Sequence, residues 1–190
     1  MSESIPFIDD LVEDYKKTQE LLLINEPSAA QDISAHLTKV LILTCASHYE
    51  QRLQNAFISY AKQESDKYGD KPHRFDIDKN EKSVYQKFDF GRVEDSDDLS
   101  TLPDTKRILK PLTFFGEQFR EKVFVEISGD EEKEGQLKAF QEIFAMRNLI
   151  AHQTYIQLTN NAIRGKSFTD IKQLHDKAIK FVDYLCQQFT

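Results

Sequence analysis

Three residues in the last third of the chain have the types and spacing that cleavage of a phosphodiester requires. Arg147 and Asn148 are adjacent, and His152 follows four positions later in the segment FAMRNLIAHQTY. A histidine with a pKa near neutrality can take a proton from a ribose 2′-hydroxyl and return one to the leaving 5′-oxygen. The planar guanidinium of arginine binds phosphate and stabilises the charge that builds on its oxygens. We therefore predict metal-independent RNA cleavage, with His152 and Arg147 as catalytic residues and Asn148 as a supporting residue.

The same segment predicts a helix on which these side chains point in different directions. Each residue of an α-helix turns the chain by about 100°, so Asn148, His152 and Tyr155 fall on one polar stripe. Tyr155 therefore joins the supporting residues, and we expect a dimer interface on this stripe. Arg147 precedes His152 by five positions, which places the two side chains roughly 140° apart on an ideal helix. Unless the helix breaks here, a second copy of the chain has to complete the site.

Length and composition favour one all-helical domain. The chain has 190 residues with only 6 Gly and 5 Pro, and its apolar residues mostly recur three or four positions apart, as in helices. We predict a single domain over residues 1–190, an antiparallel bundle of four or five helices with a long polar excursion at about 66–105. The net charge of −7 counts against a broad nucleic-acid footprint, so any contact with RNA is expected to be local.

Several classes of protein find no support in the sequence. The amino-terminal residues are acidic, and even the longest aliphatic runs, such as Val40–Leu43, are far too short to cross a bilayer. Cys45 and Cys186 each lie in an apolar helical pattern, which indicates reduced thiols that fill the core. No glycine-rich phosphate loop, Cys-x-x-Cys pair or His-Glu-x-x-His motif is present. We therefore expect a cytoplasmic protein without a membrane partner, cofactor or metal site.

Apolar periodicity and helix-start residues locate the helices. The first is predicted over about residues 6–23 and the second over about 28–65, separated by a break at Asn25-Glu-Pro27. Later helices are expected to begin after residue 111, at about residue 130, and at Ser167, where Ser167-x-x-Asp170 matches a capping box. A short helix around 81–88 and a polar connection at 159–165 complete the prediction.

One stretch of the second helix mixes polar groups into an apolar face, namely Ser47-His48-Tyr49-Glu50. The first interpretation is a core histidine with satisfied hydrogen bonds, or a hydrogen bond between helices. The second is a role in the candidate site. The sequence does not assign a role to His48 or Glu50.

The segment Arg147-Asn148-Leu-Ile-Ala151-His152 resembles the Arg-x(4–6)-His motif of the HEPN superfamily, in which an asparagine frequently follows the arginine. The late position of the motif and the Tyr49-Glu50 pair on a long early helix add to the resemblance. It implies a homodimer in which two motifs meet across a two-fold axis to form one endoribonuclease site. It also implies RNA, such as tRNA, as substrate. A toxin–antitoxin or phage-defence system is the implied setting, with an antitoxin protein as a further partner.

Two other interpretations stay open. The first is a catalytically inactive HEPN-like module that binds a nucleotide or a protein partner. The second is a structural bundle in which Arg147 pairs with a carboxylate and His152 caps a helix. The acidic net charge favours these two interpretations, and the intact Arg-Asn-x-x-x-His pattern favours the ribonuclease.

Overall fold

The computed structural model describes residues 6–68, 109–152 and 165–189, and its regular secondary structure in these ranges is helical throughout. The described parts contain five α-helices and one short 3-10 helix: α1 Pro6–Asn25, α2 Pro27–Tyr68, the 3-10 helix Lys110–Phe115, α3 Glu117–Ser128, α4 Glu131–His152 and α5 Phe168–Gln187. The predicted all-helical class is confirmed. Most of the predicted polar excursion, the short helix around 81–88 and most of the 159–165 connection lie outside the described residues.

The first two helices form a hairpin around a single non-helical residue, Glu26. Its N–H donates to the carbonyl of Leu22 at 2.7 Å, and its own carbonyl accepts from the N–H of Ala30 at 3.1 Å. Pro27 opens α2 at a position whose N–H has no helical partner in any case. The predicted break is confirmed. Both helices run slightly further than expected, because α1 ends at Asn25 and α2 at Tyr68.

Helices α2, α4 and α5 enclose the core, and their contacts fix their relative directions. Along α2 and α5 the contacting residues advance together, since Tyr49 meets His175 and Arg52 meets Asp183. These two helices therefore run parallel. Helices α4 and α5 run antiparallel, because residues further along α4 contact residues earlier in the chain around α5. Glu132 lies 3.6 Å from Lys180, whereas Glu142, further along α4, pairs with Lys166 just before α5. The rings of Tyr49, Phe140, Phe144 and Phe181 fill the space between the three helices.

The prediction of one helix after residue 111 is wrong at one point, because Gly116 interrupts the helix. Gly116 has φ 112° and ψ 150°, so Phe115 ends the 3-10 helix and α3 begins at Glu117. Glycine alone adopts this conformation readily, because it has no Cβ. Phe115 and Phe119 still contact each other, with ring centroids 5.6 Å apart, and both contact Phe189. The apolar spacing therefore survives the break and conceals it in the sequence.

Side-chain caps fix where the last two helices begin. Asp130 accepts hydrogen bonds through Oδ1 from the N–H groups of Glu132 and Lys133, at 3.0 and 3.2 Å. At the start of α5 the N–H of Asp170 donates to Ser167 Oγ at 3.2 Å, and the N–H of Ser167 donates to Asp170 Oδ2 at 2.7 Å. The predicted capping box is confirmed, and the helix predicted from residue 130 is confirmed to within one residue.

Candidate functional site

The guanidinium of Arg147 lies between α4 and α2, where two neighbours hold it. Nη2 donates to both carboxylate oxygens of Glu50 at 3.1 Å each, and Nη1 donates to Oδ1 of Asn148 at 3.1 Å. The side chain of Arg147 is 28% exposed and that of Glu50 is 22% exposed. The ion pair is thus partly shielded from water but open on one side. A guanidinium has five N–H donors, more than these three contacts occupy, so it can still bind a phosphate.

The packing of α4 against α2 explains why this pair forms. Met146 on α4 and Tyr49 on α2 are fully buried, and each directly precedes a member of the ion pair. The ring of Tyr49 lies against those of Phe140 and Phe144, with centroids 5.9 and 6.4 Å apart. These contacts set the distance between the two helices. Arg147 therefore lies at the border of the core.

Asn148 differs from the prediction. The sequence places it on one polar stripe with His152 and Tyr155, but it is only 8% exposed. Neighbouring helices cover α4 widely, so its buried face extends past the residues that the apolar pattern marks. The amide oxygen of Asn148 accepts from Arg147 in this setting, as a buried polar group requires. Asn148 is therefore largely buried within one protomer, where it contacts Arg147.

His152 is the last residue of α4, and the helix is continuous from Arg147 to it. A helix break that would turn both groups towards one substrate is thereby excluded. The side chain of His152 and the whole of Tyr155 lie outside the described residues. The structure thus brings Arg147 and Asn148 into contact, and it places His152 at the end of the same helix.

Glu50 is the site residue to which the sequence assigned no function. It lies 97 positions from Arg147 along the chain, and only the fold brings them together. The available signal was a glutamate beside a tyrosine in Ser47-His48-Tyr49-Glu50, where polar groups interrupt an apolar face of the helix. Pairing of Arg147 with a carboxylate is also what the structural interpretation of the motif predicts.

His48 lies away from this site although it is close to Glu50 in the chain. Two positions along a helix correspond to a turn of about 200°, so His48 faces α5 rather than α4. Its Nε2 is buried without a hydrogen-bond partner among the described residues. Burial, together with the nearby Arg52 cation, lowers the pKa of His48, while Asp183 opposes the shift. Arg52 and Asp183 pair at 2.7 Å. His48 therefore belongs to the contact between α2 and α5.

A buried polar cluster of Cys45, Tyr49 and His175 also joins α2 to α5. The Tyr49 hydroxyl and Nδ1 of His175 form a hydrogen bond of 2.7 Å, and Sγ of Cys45 lies 3.5 Å from the same nitrogen. Burial lowers the pKa of His175 to about 4 and raises the pKa of the Cys45 thiol to about 12. Both groups are neutral near pH 7, and such a thiol is a poor nucleophile. The cluster thus supplies the hydrogen bond between helices that the sequence suggested.

Neither cysteine forms a disulfide, and Cys45 is buried as predicted. In the part of the chain that the structure describes, no group of three or more His, Cys, Asp or Glu side chains is placed to hold a metal ion. None of the described helices combines the length and apolar character needed to span a membrane.

Comparison with known proteins identifies the family. A family model described as RiboL-PSP-HEPN matches residues 8–190, which is nearly the whole chain. No curated protein and no solved structure matches the chain. The resemblance to the HEPN superfamily is confirmed by the family match. A match of this extent, together with the helical fold and the position of the Arg-Asn-x-x-x-His motif, shows that the chain belongs to the RiboL-PSP-HEPN family.

Proposed function

We propose that this protein is a metal-independent endoribonuclease of the HEPN type that acts as a homodimer. The observation that carries the proposal is the guanidinium of Arg147, fixed by Glu50 and Asn148 and still partly exposed, on the helix that ends at His152. A cytoplasmic toxin–antitoxin or phage-defence system is the proposed setting, with RNA such as tRNA as substrate. An antitoxin protein would be the partner that controls it.

The proposed reaction needs only groups that the chain supplies. His152 takes the proton of a ribose 2′-hydroxyl, and the 2′-oxygen then attacks the adjacent phosphorus. The bond from phosphorus to the 5′-oxygen breaks, and the departing oxygen receives a proton from a histidine. The products are a 2′,3′-cyclic phosphate and a 5′-hydroxyl. Arg147 binds the phosphate and stabilises the charge that increases on its oxygens.

Glu50 and Asn148 give this proposal a physical basis. An arginine side chain that is free in solution loses conformational entropy when it binds a phosphate, whereas one already held by two acceptors loses less. The carboxylate of Glu50 also offsets part of the positive charge of Arg147. Binding of one phosphate by one arginine is then weak, and two motifs in a dimer would supply a stronger site.

The second candidate is a catalytically inactive module that binds a nucleotide or a protein. The contact of Glu50 with Arg147 favours the protein-binding form of this module, because a carboxylate competes for the guanidinium with the phosphates of RNA and of nucleotides alike. The net charge of −7 favours it as well. Only the ribonuclease would produce RNA with a 2′,3′-cyclic phosphate end, so this end distinguishes the two candidates.

The test is incubation of the purified protein with total tRNA in the presence of EDTA, followed by assay for 2′,3′-cyclic phosphate ends. We expect cyclic ends with the wild-type protein and their loss in Arg147→Ala and His152→Ala. Arg120→Ala is the matched control, because Arg120 pairs with Glu117 on α3 and lies outside the site. RNA binding without cleavage would support the inactive module. Cleavage by the two site variants at the wild-type rate would refute the assignment of Arg147 and His152.

A further inference from the structure

The end of α1 carries a cluster of exposed aliphatic side chains. Leu21, Leu23 and Ile24 are 64%, 55% and 80% exposed, and all three lie in the last turns of the helix. We call these three residues the aliphatic tip. Each helical residue turns the chain by about 100°, so the three side chains surround the end of the helix. Single exposed aliphatic residues are common on protein surfaces, whereas a cluster of them marks a contact surface.

The tip projects because α1 runs past the start of a neighbouring helix. On α1, Asp9 lies 3.5 Å from Lys172, and the ring of Tyr15 stacks on that of Phe168 with centroids 3.7 Å apart. Residues further along α1 thus meet residues earlier in α5, so the two helices run antiparallel. Helix α5 begins at Phe168, whereas α1 continues from Tyr15 to Asn25, a rise of about 15 Å. The end of α1 therefore extends beyond α5, which does not cover it.

Carboxylates form the border of the tip. Glu20, Glu26 and Asp32 are exposed, and none of them has an ion-pair partner in the part of the chain that the structure describes. Glu20 directly precedes the tip, Glu26 follows it, and Asp32 lies in the second turn of α2. The nearest cation along α1 is Lys17, which pairs with Glu13 at 3.0 Å. The tip is therefore an apolar centre with an acidic border.

We infer that the aliphatic tip docks against an apolar surface of a different protein, and that lysine or arginine side chains border that surface. Protein interfaces combine an apolar centre with a polar rim, and opposite charges across the rim select the partner. A second copy of this chain would bring its own acidic border and its net charge of −7, so like charges would meet. A nucleic acid would be repelled for the same reason.

A partner on the tip would lie far from the candidate site. Glu26 and Glu50 both belong to the rod formed by α2 and the residue before it, and they are about 36 Å apart along the helix axis. A partner that contacts only the tip and its acidic border would leave Arg147 accessible. The tip therefore attaches the protein to another protein without blocking the site. This inference goes beyond the proposed function and does not depend on it.

The probe is a synthetic amphipathic helical peptide with leucines on one face and lysines along both borders, titrated into the full chain and followed by fluorescence anisotropy. We expect the wild type to bind it. The double variant Leu21→Gln/Ile24→Gln should bind about 10-fold more weakly or less, because two aliphatic side chains lose their burial. Glu20→Gln/Glu26→Gln should bind about fivefold more weakly.

Two controls separate the tip from general stickiness. Val125→Gln is the matched variant, because Val125 on α3 is 64% exposed, as Leu21 is, and it should bind like the wild type. Glutamine is a good helix former, so these substitutions should keep the helices and the melting temperature. A second peptide with glutamates in place of the lysines should not bind the wild type.

Several outcomes would overturn the inference. They are equal peptide binding by the wild type and Leu21→Gln/Ile24→Gln, or equal binding of the lysine and glutamate peptides. A larger fall in melting temperature in Leu21→Gln/Ile24→Gln than in Val125→Gln would show that the chain itself covers the tip. Loss of self-association in that double variant, measured by sedimentation velocity, would show a surface between copies.

The same variants keep this inference separate from the proposed activity. Leu21→Gln/Ile24→Gln should cleave tRNA at the wild-type rate while its peptide binding is weakened, because the tip lies far from Arg147. Peptide binding that depends on the tip, in a wild-type protein that yields no cyclic phosphate, would support the docking surface and refute the ribonuclease.

Discussion

Replacement of Arg147 by alanine should reduce both the stability and the activity of the protein. The loss of stability follows from the ion pair, because the variant removes the guanidinium from the partly buried carboxylate of Glu50. The variant also removes one donor from the buried amide oxygen of Asn148.

The size of the stability loss follows from the burial of the pair. Exposed ion pairs contribute about 0.2–1 kcal/mol, whereas breaking a fully buried pair costs about 3–5 kcal/mol. Side chains that are 28% and 22% exposed lie between these cases. We therefore expect a loss of about 1–2 kcal/mol, discounted for screening by solvent. For a domain of this size the melting temperature should fall by about 2–8 °C.

The assay is a double-mutant cycle over wild type, Arg147→Ala, Glu50→Ala and the double variant, followed by urea denaturation. We expect the double variant to lose about 1–2 kcal/mol less than the sum of the two single losses. Arg120→Ala is the control, because its pairing with the exposed Glu117 should contribute under about 1 kcal/mol. Cleavage of tRNA per folded molecule should fall by about 100-fold or more in Arg147→Ala, through loss of a phosphate ligand.

Two results would refute this reasoning. Additive effects, within about 0.5 kcal/mol, would show that Arg147 and Glu50 are not energetically coupled. A stability loss of the expected size with wild-type cleavage per folded molecule would show that the arginine is a structural residue. That second result would support the interpretation of the chain as a structural bundle.

Three further predictions concern the core and the backbone. The pKa of His175 is about 4 in the folded protein and about 6.5 in the unfolded chain. The contribution of neutral His175 to the free energy of unfolding is therefore fully present above pH 6.5. It is lost as the pH falls towards 4, by up to about 3 kcal/mol. Urea denaturation between these pH values should show that the free energy of unfolding depends less steeply on pH in His175→Gln than in the wild type. Equal slopes in the two proteins would contradict the lowered pKa of His175. Tyr49→Phe should destabilise the protein by about 1–3 kcal/mol by removing the hydrogen bond to His175. Tyr60→Phe is its control in the same denaturation assay, and an equal loss in both would count against a role for this bond. Gly116→Ala should cost about 1–3 kcal/mol, because φ is 112° there. Gly135→Ala, at a helical position with open space around the added Cβ, should be neutral or stabilising in thermal unfolding, and the reverse order of the two would refute the backbone argument.

Much of the fold could be predicted because its signals are local. The helix breaker at Pro27 and the capping box of Ser167 and Asp170 act over a few residues, and the structure confirms both. Apolar spacing gave the helical class for the same reason, since a period of 3.6 residues is a property of one segment. Gly116 was missed because the aromatic spacing continues across it.

The candidate site also has features that local sequence predicts and features that depend on distant residues. The sequence by itself predicted the angular positions of Arg147, Asn148 and His152 on a helix, because the spacing of residues fixes these positions, and the structure showed that the helix is continuous. The sequence did not determine what lies opposite, since that depends on residues far away in the chain. The tertiary structure alone decided that Glu50, 97 positions from Arg147, holds the guanidinium, and that Tyr49 reaches His175 across 126 positions. It also decided that Asn148 is buried, because the burial of a helical residue depends on how widely the neighbouring helices cover its face.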